Sequence, residues 1–442
     1  MLKKGVLLVP DGLQYPLFQD MLARGALPHI QHYIVNRALV NVEHAFTGFP
    51  SSTFEQMPAL MTGQRSHQPG AIFLTEDGTR VNYIGNDNPS KGNTGKRDTI
   101  FRFIDQWTVS IFNPWNDHAD DKHFANHSLK TLAQYARGWA GSNGAAVSRL
   151  LHAMEDRQPL NFAALWFFAM DRYGHKKSDH ALAQKYQRFD SLIGKIGERL
   201  EERGELEETL LILTSDHGMA PVQETVNPYS LCESVGLDNA RVFAYGYGVG
   251  SVYTSSTDLA SQARDLTQHP AVEHVILPQG TNVRRVYSEA SVADVVKEGD
   301  RYRLDVHEGL PFGYSADLCE ALSRPHTARE SLELTHQEEQ PNAVVGTAES
   351  LRHTYSPQMT FLAAPGHAFG LVRNWAEQIW LNANYKRSHG TFHRGEAQVP
   401  LLIAGDGEPC VVPYAETIDW APTFFKLAGR PIPPVFDGVP LV

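Results

Sequence analysis

Only three cysteines occur among 442 residues (Cys232, Cys319 and Cys410), far apart and without the close spacing of metal-binding pairs. Their scarcity excludes a disulfide framework and points to a reducing compartment. No run of about 18 apolar residues exists, so no membrane-spanning helix and no membrane partner are expected. Lys3-Lys4 and the apolar residues after it imitate a secretion signal, but that stretch stops at Pro10-Asp11 and is too short for one. A first core strand explains it better, and the cytoplasm is the expected location. There is no basic surplus either. Lys and Arg total 39 against 50 Asp and Glu, a net charge of −11, so no nucleic-acid polymer is expected as a partner. Repeats and low-complexity tracts are absent. Lys91-Gly92-Asn93-Thr94-Gly95-Lys96-Arg97 is no phosphate loop, because Arg97 replaces the Ser/Thr and Ser90 the first glycine.

What is present is an ordinary globular composition, 42% hydrophobic and 20% charged, able to bury a large core without covalent staples. Short apolar runs alternate with helical segments, the pattern of a layered α/β domain. The clearest unit spans 161–219: a strand over 161–170, an amphipathic helix over about 181–203 stopped by Gly204, and a strand over 209–214. Such a crossover makes the two strands parallel and brings their carboxyl ends to one edge, where open α/β sheets bind ligands. The expected fold is a mostly parallel central sheet between helices. Residues 1–225 and 386–442 form its two parts, with an insert at about 76–128 and a cap domain at 226–385. The core pattern resumes near Trp380.

Strong metal-ligand side chains recur beside these apolar runs. Asp11 ends the first. Asp171 and His175 follow the run 162–170, Asp216 and His217 follow 210–213, and His389 precedes 399–404. Three carboxylates and three imidazoles suit one site for two divalent cations, zinc or manganese by ligand type. Two ions about 4 Å apart can hold the attacking and leaving oxygens of a phosphoryl displacement, and their charge would reverse the local potential. The nucleophile is expected at Phe49-Pro50-Ser51-Ser52-Thr53-Phe54, ahead of a helix ending at Thr62-Gly63. A hydroxyl there gains from the helix dipole and free N–H groups. Thr53 is chosen, with Ser52 as the alternative. His393 rivals His389, whose Ser-His-Gly context favours it. The acidic and histidine-rich run from Asp117 to His123 reads as a solvated loop. Trp166-Phe167-Phe168 reads as core strand.

Val9-Pro10-Asp11-Gly12, Pro50-Ser51-Ser52-Thr53, Asp171 through Gly174-His175, Ser215-Asp216-His217-Gly218-Met219 and Ser388-His389-Gly390 resemble the alkaline phosphatase superfamily. The threonine is similar to that of its type I phosphodiesterase and nucleotide pyrophosphatase branch. Thr417-Ile418-Asp419-Trp420-Ala421-Pro422-Thr423 resembles the closing segment of this group. The resemblance implies two ion sites. Asp171, His175 and His389 would hold one ion; Asp11, Asp216, His217 and the Thr53 oxygen would hold the other. It further implies a phospho-threonine cleaved by activated water, and a small phosphorylated substrate. No sulfatase-type C/S-x-P-x-R context exists. Two departures stand out: Glu55 replaces a usual proline, and Leu74 stands near the place of a phosphate-binding asparagine, for which Asn82, Asn86 and Asn88 are candidates.

Three functions compete. The first is a metal-dependent phosphodiesterase or nucleotide pyrophosphatase. The second is a phosphomonoesterase, phosphonate hydrolase or phosphomutase on the same scaffold. The third is an inactive, metal-stabilised binding protein. Oligomeric state is left open.

Overall fold

The computed structural model describes residues 3–65, 72–75, 78–82, 98–123, 142–155, 159–245, 247–350, 356–370, 376 and 385–442. Asn86, Asn88, the run 91–97, the stretch around Trp380 and the side chain of Asn82 lie outside the described residues.

Among the described residues the main sheet has nine strands. At its centre Lys4–Pro10 lies between Phe162–Phe167 and Thr209–Thr214, parallel to both. Thr108–Ile111 and Asp121–His123 continue the parallel run on one side. Leu401–Ala404 adds antiparallel to Thr209–Thr214 and to Ala38–Phe46, and Cys410–Glu416 pairs parallel with the latter. Residues 108–123, read from the sequence as part of an insert, thus supply two strands of this sheet.

The first strand is buried on both faces, as expected of parallel sheets covered by helices. Val6 and Leu8 pack on one side with Tyr186, Phe189, Ile193, Ile196 and Leu200 of the helix Asp179–Glu202. Leu7 and Val9 pack on the other with Met57, Leu60 and Met61 of the helix Thr53–Thr62, and with Trp420 and Phe424. Each such buried side chain contributes roughly 1.5–3 kcal/mol. The long helix begins two residues earlier than its apolar pattern indicates, because the Ser178 side chain accepts the Ala181 N–H as an N-cap. The crossover is as expected, except that the first strand of the chain lies between its two strands.

Among the described residues a second sheet has eight strands, antiparallel throughout, running from Arg241–Tyr245 to His326–Thr327 and including Met359–Ala363. Its core includes Phe49 and Phe392, whose rings stack at 4.0 Å. Those two residues flank the Thr53 turn and the His389 segment. The second sheet is thereby welded to both.

Candidate active site

The three central parallel strands deliver their ends to one place. The first ends at Pro10, with Asp11 in the turn beyond it, where Gly12 adopts φ 62°. That positive φ suits glycine and lets its N–H reach Asp216 Oδ1 at 3.2 Å. Asp216 and His217 follow the strand Thr209–Thr214 and are fully buried. The Ser215 hydroxyl joins the two turns: it lies 2.6 Å from the Pro10 carbonyl and accepts the Leu13 N–H.

Asp171 and His175 differ from expectation. Their strand stops at Phe167, and both sit on the helix Ala169–Lys176, one turn apart on a single face. His389 arrives from the far end of the chain, just after the short strand Arg387–Ser388. Thr53 opens the helix Thr53–Thr62, and Gly63 closes it at φ 65°.

These residues converge in two groups. Ligand atoms of Asp171, His175 and His389 lie within 4.8 Å of one another, and so do those of Asp11, Asp216 and His217. The groups share a border, where the His217 and His389 rings stack at 3.7 Å. Thr53 Oγ lies 3.1 Å from His217 Nε2 and 3.4 Å from Asp11 Oδ1. His393 is elsewhere, bonded to Glu273 at 2.6 Å. The run from Asp117 to His123 disperses among local partners: His118 meets Asp98, Asp120 accepts from Thr108, and His123 meets Asp121.

Each imidazole turns its Nδ1 toward a backbone carbonyl: His175 to Arg387 (2.8 Å), His217 to Gly218 (3.0 Å) and His389 to Ser51 (3.0 Å). A carbonyl only accepts, so Nδ1 carries a proton and Nε2 is the atom left to meet a cation. All three Nε2 atoms face the carboxylates. Asp171 Oδ1 has His175 and His389 Nε2 at 3.2 and 3.4 Å, out of hydrogen-bonding geometry. Asp216 Oδ2 is likewise buried without a hydrogen-bond partner. Orphaned buried carboxylate oxygens are costly unless a cation lies beside them. The donor set fits two dications.

The electrostatics agree. Burial, then repulsion from Asp216 and Asp171, pushes the Asp11 carboxyl well above its usual range. Burial also raises Asp216, although the His217 charge pulls back. Burial opposes charge on His217, but Asp216 and Asp11 lift it to about 10. His389 is driven to about 3 by burial and by His217. Asp171 stays well below its usual range because His175 and His389 outweigh its burial. A cluster in which like groups are forced apart in this way is relieved by added positive charge.

Sequence reasoning missed the residues that hold the candidate ligands in place. Trp166, half-buried, donates its indole N–H to Asp11 Oδ2 at 2.9 Å, so it is more than core strand. Ser51 fastens the nucleophile turn to the His389 segment: its hydroxyl donates to the Thr391 carbonyl and accepts the Gly390 N–H. The buried Arg387 guanidinium binds the carbonyls of Gly174 and Lys177, at the end of the helix bearing Asp171 and His175, and pairs with Asp179. For Ser51 and Arg387 the sequence signal was adjacency to Thr53 and His389; Trp166 lies shortly before Asp171. Glu55 faces away from solvent with neither oxygen in a hydrogen bond, and burial holds its carboxyl up at about 8. Leu74 is half-buried on the short strand Ile72–Leu74.

The fold is a layered α/β architecture whose candidate site gathers at the ends of the central parallel strands. The profile of the type I phosphodiesterase / nucleotide pyrophosphatase family matches residues 6–316, and the chain belongs to that family. Among curated proteins it is 25% identical over 211 residues to human bis(5'-adenosyl)-triphosphatase ENPP4, covering 45% of each chain. It is 23% identical over 176 residues to GPI ethanolamine phosphate transferase 2 of Candida glabrata, covering 38% of this chain and 20% of that protein. The matched stretch thus spans less than half the length of either relative. Murine ectonucleotide pyrophosphatase / phosphodiesterase 5 shares the fold at a TM-score of 0.66 and 14% identity, over 98% of this chain and 96% of that one. No described helix is long and apolar enough to cross a membrane.

Proposed function

We propose that this protein hydrolyses phosphodiester or pyrophosphate bonds of a small, nucleotide-like substrate through a phospho-threonine on Thr53. The observation carrying this reading is the convergence of three inward-facing Nε2 atoms and two orphaned carboxylate oxygens beside Thr53 Oγ. Asp171, His175 and His389 would hold one dication; Asp11, Asp216, His217 and Thr53 the other. Zinc suits this donor set best, with manganese the alternative. Bound there, the ions supply charge for the developing oxyanions and lower the nucleophile's pKa.

The chain's own groups do the rest. Trp166 fixes Asp11, and Asp11 with His217 fixes the Thr53 hydroxyl. Thr53 Oγ gives its proton to solvent water and bonds to phosphorus as the bond to the leaving oxygen breaks. The leaving oxygen takes the bonding pair and then a proton from water. A second water reverses the process on the phospho-threonine, restoring the hydroxyl. The human relative's name as a triphosphatase, and an inactive variant of the murine relative in complex with AMP, support a nucleotide-like substrate. Three free cysteines support a reducing compartment such as the cytoplasm.

The test is turnover of bis(4-nitrophenyl) phosphate before and after chelation, alongside Thr53→Ala. Both treatments should abolish it, and full activity in either sample would end the reading. A 4-nitrophenyl monoester run in parallel should be the poorer substrate. A strong preference for it moves the assignment to a monoesterase.

A further inference from the structure

The second sheet carries a buried polar chain outside the ligand set. In its strand Val272–Pro278, Val272 pairs with Ala363 and His274 with the adjacent Leu362, which leaves Glu273 over as a bulge. Neighbours on a regular strand face opposite ways, and a bulge re-aims the extra side chain. Glu273 and His274 accordingly both reach the Gln340 amide, and the Tyr314 hydroxyl fixes the Gln340 carbonyl at 2.6 Å.

The protons of this chain have one arrangement. A carboxylate accepts, so Gln340 turns its amide nitrogen to Glu273 Oε1 at 2.9 Å and its oxygen to His274 Nε2 at 2.8 Å. His274 Nε2 therefore carries the proton, and its Nδ1 accepts from Ser288 Oγ at 2.7 Å. The remaining carboxylate oxygen, Glu273 Oε2, accepts from His393 Nε2 at 2.6 Å. Burial opposes charge on Glu273, but His393, His274 and Gln340 outweigh it and lower the carboxyl. Burial also opposes charge on His393, but Glu273 outweighs it, with Glu396 and Glu339 adding to the lift. Beside the pair stand His274, lowered by burial, and Arg394, which binds the carbonyls of His336 and Glu338.

Three hydrogen bonds join this pair to an ion ligand. The His393 N–H donates to the Thr391 hydroxyl oxygen at 3.2 Å, the Thr391 carbonyl accepts from the Ser51 hydroxyl at 2.8 Å, and the Ser51 carbonyl accepts from His389 Nδ1 at 3.0 Å. Phe392, between Thr391 and His393, is pinned on the Phe49 ring. A buried ion pair adds little net stability over apolar side chains, and its best-attested use is to fix one register between packed segments. Here the fixed segment is the one that brings His389 to the site.

We propose that Glu273 and His393 are positioning residues for His389, so that the ion shared by Asp171, His175 and His389 is held most tightly while His393 carries its proton. This rests on the two-ion reading above and adds a control on that same site, exerted from the second sheet. The controlling proton sits on no ion ligand.

The experiment measures the zinc affinity of each site with a chromophoric chelator, from about pH 6 to about pH 9. It compares wild type with Glu273→Gln, His393→Gln and the double variant. Proton competition at the ligands is common to all four proteins, so the gap to wild type at each pH isolates the pair. Near the acid end each single variant should weaken the Asp171–His175–His389 ion about threefold to tenfold, less than the roughly 10–100-fold typical of a residue bonded directly to a ligand. The other ion should be unchanged. The double variant should bind no more weakly than either single, because the two residues act as one unit. The gap should narrow as pH rises through the raised His393 value, where the wild-type imidazole loses its charge. A gap constant with pH makes the pair merely structural and overturns the proposal. Equal weakening of both ions, additive losses in the double variant, or no weakening in any variant overturns it too. Wild type that binds no zinc ends this proposal and the hydrolytic reading together. Wild type that shows the expected two-ion signature yet cleaves no diester ends the hydrolytic reading alone.

Discussion

The half of the cluster made by Asp11, Asp216 and His217 hangs directly from strand ends. The half made by Asp171, His175 and His389 hangs from an eight-residue helix and a strap returning from near the end of the chain. In the first half the parallel ladder fixes the backbone, and short contacts such as Ser215 to Pro10 complete the geometry. In the second, no ladder joins the ligand segments to each other. Arg387 and Ser51 do so instead, through backbone carbonyls. A site can therefore be rigid for two different reasons, and the two halves should fail differently.

The largest effect should come from the strand-end half. His217→Ala removes the group nearest the Thr53 hydroxyl, and turnover should fall by roughly three orders of magnitude or more. His389→Ala should instead reduce the tightly held ions, counted by elemental analysis, from two to one. If His389→Ala strips both ions, the halves are not separable.

Next comes stability. Because the buried carboxylates repel one another without cations, metal removal should lower Tm. Restoring ions to 100 times Kd should return about 2.7 kcal/mol for each site filled, by mass action. An unchanged Tm after chelation would mean that the cluster holds no ion.

The clamps give smaller effects. Arg387→Met and Ser51→Ala should each weaken the second ion's affinity roughly 10–100-fold while sparing the first. Trp166→Phe, which loses the bond to Asp11, should do the reverse. Titration with a chromophoric chelator reads both, and matching losses of both ions in every variant would erase the distinction.

The smallest effect is on pH. Burial opposes charge on His393, but Glu273 outweighs it and raises the imidazole, tying the strap to the second sheet. A folded-state pKa raised above the usual 6.5 gives stability that is complete below about 6.5 and lost as pH rises through the raised value. The stability gap between wild type and His393→Asn should be about 1–3 kcal/mol in acid and shrink in alkali. Urea unfolding across that range checks it, and a constant gap sinks the assignment.

How much was legible follows the same division. Asp11 and Asp216 could be read because a buried strand followed by a turn is a local pattern. The strand before Asp171 was drawn three residues too long. Phe168, Ala169 and Met170 are apolar and buried, and periodicity cannot separate a buried strand from the buried start of a helix. His389 was legible by motif but not by pattern. Trp166, Ser51 and Arg387 left little trace, since each acts on groups remote in sequence.

The order of amino acids alone indicated the alternation of strands and helices, the kinds of candidate ligand, and a hydroxyl at a helix start. Those depend on local periodicity and intrinsic chemistry. Which nitrogen of each histidine faces inward, and which end of the site meets the second sheet, only the tertiary structure decided. His389 takes its tautomer from a carbonyl 338 residues away, and Tyr247 reaches His175 from another sheet. Such pairings are distances in space, and no local rule of sequence encodes them.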